Sequence, residues 1–299
     1  MQYGFSIKRK CYLLSVLLMT VWLTGCVQEE FESTPSPAGN GIRFTLTVPD
    51  VNLPSVSSRT MTGTGTAKKE DEIETVDILV FDMSKTPAVF LEWVSATGVT
   101  QDLADNSTVS FSAVLSPTTA STCIVVVANK ELDNIVSGFT KGATTKVEAM
   151  EKMLHTQTGK WLADGSTTGG YTRIPMYGEK VISKITPSMN PITEINMKRM
   201  LARIDIRNNS VTSNFMVEEV YLANYNTTGY IAPAWNTNGQ VTEPAPDTPV
   251  LPTGSGKMTE EGNAILYSVN GNTPYDGEIY TFESLAAGDA GGAGQDGEA

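Results

Sequence analysis

The eight residues TCIVVVAN (122–129) decide how this chain is read. A strand with one wet face alternates apolar and polar side chains, whereas Ile124–Val127 is an unbroken apolar run. So short a run, rich in β-branched residues and ended by Asn129, is a strand covered on both faces, as in the middle of a sandwich. Working outward, VDILVFD (76–82), AVFLEWV (88–94) and VSFSAVL (109–115) have the same short, β-branched and aromatic character. Clusters of Gly, Pro, Asn, Asp or Ser separate them. Further strands are expected in 173–183, 194–208 and 215–225, with weaker signals at 264–269 and 278–284. One helix is expected after Thr145: Thr145 and Glu148 have capping-box spacing, and Val147, Met150, Met153 and Leu154 form one apolar stripe. Many short strands with one inserted helix predict a mainly β fold of sandwich type rather than an α/β fold.

Upstream, GIRFTLTV (41–48) alternates strictly, with Ile42, Phe44, Leu46 and Val48 apolar and Arg43, Thr45 and Thr47 polar. This is a strand with one buried face. Residues 49–72 follow as a polar stretch containing Pro49, Pro54, Arg59, Lys68 and Lys69, in which little regular structure is expected before Ile73. A well-patterned strand therefore stands at the far end of a tether that carries an exposed arginine.

The first residues set the address. Lys8, Arg9 and Lys10 precede the apolar segment 11–23. Thirteen residues span roughly 20 Å as a helix, short of a ~30 Å hydrocarbon core, so residues 1–25 read as a signal peptide. The segment ends in Leu23-Thr24-Gly25-Cys26, which resembles the lipobox of bacterial lipoproteins and implies acylation of Cys26. Loss of 1–25 removes Lys8, Arg9 and Lys10 and no acidic residue, taking the net charge from −12 to −15. Such a charge argues against nucleic acid and anionic lipid surfaces as partners. Residues 26–40, with Glu29, Glu30 and Glu32, read as an acidic tether. Only Cys123 then remains as a free cysteine, so an exported chain of about 270 residues must be stabilised by its cores rather than by disulfides.

Chemistry is sparse. His155 is the only histidine; it falls at the end of the expected helix, where a cation suits the dipole, and no serine or cysteine nucleophile lies near it in sequence. Cys123 reads as a small core residue. The run Glu70, Asp71, Glu72 and Glu74 beside Lys68 and Lys69 lacks calcium-loop spacing, and Gly63 and Gly65 precede no phosphate-loop helix. Trp93, Trp161 and Trp235 read as core or half-core residues before they read as a sugar-stacking platform. No catalytic residue, metal site or cofactor is expected, and the chain is not expected to be an enzyme.

Taken in order, the lipobox, the first strand followed by Arg59, VDILVFD (76–82), IVVVAN (124–129), IPMYGE (174–179) and MKRMLARIDI (197–206) resemble the fimbrillins. These are the subunits and anchors of type V pili made by Bacteroidales. The resemblance runs from residue 20 to about 284 and rests on order and spacing rather than on one motif. It implies two β-sandwich (transthyretin-like) domains, 41–196 with the helix inserted and 197–284, before an Ala/Gly-rich flexible tail at 285–299. It implies outer-membrane attachment through the lipid on Cys26 and surface exposure. A trypsin-like protease would then cut after Arg59, and the strand bearing Ile42, Phe44, Leu46 and Val48 would leave the groove. A strand from another fimbrial subunit fills it, in a fimbrium that supports adhesion to host or bacterial surface ligands. The four apolar side chains contribute ~1.5–3 kcal/mol each when fully buried, roughly 6–12 kcal/mol together, against a whole-domain stability of ~5–15 kcal/mol. The tail lacks the alternating donor strand that a stalk subunit carries. The chain is therefore expected to be C-terminally incomplete, or to be a tip or accessory subunit. The alternatives are a fimbrial anchor, or a glycan-binding surface lipoprotein, that keeps both lipid and first strand.

Overall fold

The computed structural model describes residues 42–47, 71–101, 108–157, 159–161, 172–204, 219–243, 249–253, 265–268 and 279–284 of the 299. The chain divides into two units, Met1–Gly39, which lies outside the described residues, and Asn40–Ala299. In the second unit the first six strands are β1 (Ile42–Thr47), β2 (Val76–Asp82), β3 (Val89–Ser95), β4 (Thr97–Gln101), β5 (Thr108–Ala113) and β6 (Thr122–Ala128). Helices α1 (Asp133–Val136) and α2 (Lys146–Lys152) come next. Then follow β7 (Leu154–Thr156), β8 (Met176–Ile182), β9 (Ile192–Asn196), β10 (Lys198–Arg199) and β11 (Ala202–Ile204). The last are β12 (Glu219–Leu222), β13 (Thr228–Tyr230), β14 (Ile265–Ser268) and β15 (Ile279–Thr281).

Two sheets dominate, one ordered β4-β5-β1-β9 and the other β10-β8-β6-β2-β3. Their inner faces share one core: Phe44, Leu46, Val109, Phe111 and Ile195 from the first pack with Ile78, Val80, Ile124 and Val126 from the second. The other face of the five-stranded sheet is covered as well. Leu79, Phe81, Cys123, Val125 and Tyr177 pack with Val136 of α1, Met150 of α2, Trp161, Ile231, Tyr280 and Phe282. Every residue of β6 is consequently buried, which is the physical content of its unbroken apolar run. The fold is mainly β, as expected.

The capping box at Thr145 is present: Glu148 N donates to Thr145 Oγ1 (3.2 Å) and Thr145 N to Glu148 Oε2 (2.8 Å). Sequence periodicity missed α1, β4, β7 and β13, each five residues or fewer with no readable apolar pattern. It also read 194–208 as one strand. The chain instead leaves the first sheet at Met197, which is fully buried between β9 and β10, and β10 joins β8 in the other sheet. Gly178 of β8 permits that crossing, since a Cβ there would stand 2.7 Å from Met197 Sδ and 2.9 Å from Ile195 Cγ2.

Candidate functional site

Strand β1 is an interior strand, antiparallel to β5 on one side and parallel to β9 on the other. Its buried face is Ile42 (4% exposed), Phe44 (0%) and Leu46 (0%), set opposite Ala113, Phe111 and Val109. The Phe44 and Phe111 rings stack with centroids 5.0 Å apart and planes 7° from parallel. Arg43, Thr45 and Thr47 face outward, opposite Ser112, Ser110 and Thr108. Along β9 the partners of Phe44 and Leu46 are Ile192 and Ile195, so β9 carries one extra residue there. Glu194 absorbs it with φ 61°, a left-handed backbone that few non-glycine residues adopt. Met197 N donates to Thr47 O (2.9 Å) and closes the end of this ladder.

The chain re-enters the described structure at Asp71, and residues 71–75 are tied down by side chains of Gln101, Asn129 and Arg173. Gln101 Nε2 donates to Asp71 O (2.7 Å), and Gln101 Oε1 accepts from Ile73 N (3.1 Å). Asn129, in the left-handed region at φ 58°, donates through Nδ2 to Glu72 O (2.8 Å) and Ile174 O (3.0 Å). Its Oδ1 accepts from Glu74 N (3.0 Å), and its own N donates to Thr75 O (3.0 Å). Arg173 adds ion pairs to Glu72 (3.4 Å) and Glu74 (2.7 Å). The asparagine that closes IVVVAN is thus the hub that fixes the start of β2. Sequence reading used Asn129 only as a strand terminator, because its partners lie up to 57 residues away.

Of the residues singled out in the sequence, Ile42, Phe44 and Leu46 come together in the slot. Val48, Arg59 and Cys26 lie outside the described residues. Cys123 is buried, and that burial pushes its thiol up to about 12, which leaves it unreactive. Trp161 is a core residue, and Trp93 and Trp235 pack half-buried against the same core. Among the described residues no group of His, Cys, Asp and Glu could hold a metal ion, and no helix is long and apolar enough to cross a membrane.

A buried polar cluster had no sequence signal. Lys146 opens α2 at 1% exposure and places Nζ 2.6 Å from Glu179 Oε2, an oxygen that also accepts from the Tyr177 hydroxyl. Gly239, at φ +75°, lies over the lysine stem, 3.2 Å from Lys146 Cβ as measured from where its own Cβ would be.

His155 departs from its expected setting. It stands in β7 rather than on a helix end, its ring 5.0 Å from Trp161 and 6.4 Å from Phe282. Both ring nitrogens are enclosed without a hydrogen-bond partner. Burial, with the Lys130 ammonium adding in the same direction, lowers its pKa to about 4 from 6.5. The unfolded chain therefore takes up a proton below pH 6.5 that the folded chain refuses until about pH 4, and stability falls as pH drops through that window. Discounted for the ring's partial exposure, the loss is about 1–2 kcal/mol. His155→Phe, which keeps a ring between Trp161 and Phe282, is expected to remove that component from a plot of urea midpoint against pH. A variant profile parallel to the wild type would exclude the assignment.

A fimbrial assembly protein from Parabacteroides distasonis is similar over 82% of this chain and 77% of its own, at 10% identity and TM-score 0.44. A candidate cell adhesion protein from the same organism is similar over 84% and 73%, at 16% identity and TM-score 0.47. A candidate adhesin from Bacteroides ovatus covers 83% and 70%, at 12% and 0.37. No curated protein matches the sequence. The family model of the major fimbrial subunit protein (FimA) matches residues 42–199, from the first residue of β1 to the last of β10. With more than half of its length matched, and both sheets inside the match, the chain belongs to the major fimbrial subunit protein (FimA) family.

Proposed function

We propose that this chain is a fimbrial subunit exported as a lipoprotein on Cys26 and cut after Arg59 by a trypsin-like protease. It then polymerises when a strand of a neighbouring subunit takes the place of β1. Family membership supplies the coarser part: a structural role in a fimbrium at the cell surface, in contact with other fimbrial subunits and serving adhesion. In this reading 41–196 and 197–284 are the two sandwich domains of the subunit, with β10 reaching back across the boundary to pair with β8.

One observation supports the strand exchange: β1 is hydrogen-bonded on both sides, while the start of β2 has polar ties of its own to Gln101, Asn129 and Arg173. Release of β1 would bare two strand edges and an apolar slot while leaving β2 fixed. Ile42, Phe44 and Leu46 contribute about 5–9 kcal/mol to holding β1 in place. The same apolar area makes an empty slot a strong acceptor for another strand. The test is the N-terminus of the protein recovered from assembled fimbriae. Thr60 is expected; a mature chain that still begins at acylated Cys26 would overturn the reading in favour of an anchor.

A further inference from the structure

Resting on that exchange reading, the two walls of the slot say which strand it accepts. We infer that the incoming strand runs with the polarity of β1, antiparallel to β5 and parallel to β9. It sets an aromatic side chain opposite Phe111, flanked two residues away on each side by aliphatic ones.

Polarity follows from the unequal ladders. Six residues of β1 pair with β5 in antiparallel register, but only three partner pairs join β1 to β9, and these are interrupted by the extra residue at Glu194. A strand entering the other way round would turn the long, regular ladder into the slanted parallel kind, which is less stable per residue. Its antiparallel pairing would fall to the short, bulged edge, whose step of three residues against two is phased for a parallel neighbour. The closing bond from Met197 N to Thr47 O would be lost as well.

The aromatic requirement follows from the β5 wall of the slot. Ala113, Phe111 and Val109 set small, large and medium contacts in sequence. A stack 7° from parallel with centroids 5.0 Å apart sets the Phe44 ring, offset, against the face of the Phe111 ring. An aliphatic side chain there covers less of that face and forfeits the ring pairing. The outward positions oppose Ser112, Ser110 and Thr108 and ask only for a residue that tolerates partial solvent.

Cysteine trapping tests both parts. The full chain carrying Ser112→Cys or Ser110→Cys is nicked with trypsin and incubated with a synthetic 41–48 peptide bearing Arg43→Cys, and disulfides are mapped by mass spectrometry. With the polarity of β1 the peptide thiol faces position 112; with the strand reversed about its phenylalanine, it faces position 110. Trapping at 112 is expected. Trapping at 110 instead would overturn the inferred polarity and leave strand exchange standing. Trapping at neither, with β1 still in place, would take down the exchange reading and this inference with it. A second peptide with Leu in place of Phe44 is expected to trap about tenfold less at equal concentration. Equal trapping would remove the aromatic requirement.

Discussion

The double change Phe44→Ser/Leu46→Ser is expected to empty the slot without any cut in the chain. Both side chains are fully buried, and Phe44 stacks on Phe111. Large-to-small changes at such positions cost about 2–5 kcal/mol each, and serine adds a hydroxyl with no apolar place to go. The two residues share one slot, so their effects are not strictly additive. A combined loss of about 5–8 kcal/mol still approaches the whole margin of an ordinary domain. Strand β1 should therefore detach. Arg43, which sits within β1, reports this directly: limited trypsin should cut after Arg43 in the double variant and spare it in the wild type. Thr45→Ser, on the outward face, should behave as wild type. Trp93, Trp161 and Trp235 belong to the other core, so their fluorescence separates loss of β1 from general unfolding. A double variant as resistant at Arg43 as Thr45→Ser would mean that the slot does not hold β1 by burial.

Lys146→Met is expected to be the second most damaging change. It leaves the Glu179 carboxylate with the Tyr177 hydroxyl as a partner but no opposing charge. Removing one member of a buried ion pair costs about 3–5 kcal/mol. Glu179 retains 21% exposure, which brings the expected loss to about 2–4 kcal/mol. Much of that is the penalty of an uncompensated charge rather than the worth of the pair. Lys146→Met/Glu179→Gln should consequently recover part of the loss, since the amide oxygen of the introduced glutamine can still accept from Tyr177. Urea denaturation of both single variants and the double closes the cycle. A double variant whose loss equals the sum of the singles would show that the pair is not coupled.

Local periodicity carried much of the fold. The strand 76–82 has the bounds its apolar and β-branched residues imply, and 122–128 is buried on both faces, as its unbroken apolar run requires. Strict alternation in 42–47 assigned Ile42, Phe44 and Leu46 to the buried face, and Thr145 with Glu148 started α2. These features depend on neighbours two to four residues apart, where side-chain direction follows from backbone geometry alone. Strand order does not, because ladder hydrogen bonds are chemically the same whichever strands make them. Nothing between residues 41 and 48 says that β1 lies between β5 and β9, with one wall antiparallel and the other parallel. Nor does any local pattern bring Lys146 to Glu179 across 33 residues, or Asn129 to Glu72 across 57. The helix-end setting first expected for His155 gave way to an enclosure of Trp161 and Phe282, the latter supplied by the far end of the chain. Which face each segment buries was written in the sequence; what it is buried against was decided by packing energies between distant segments, and the slot around β1 is built from those.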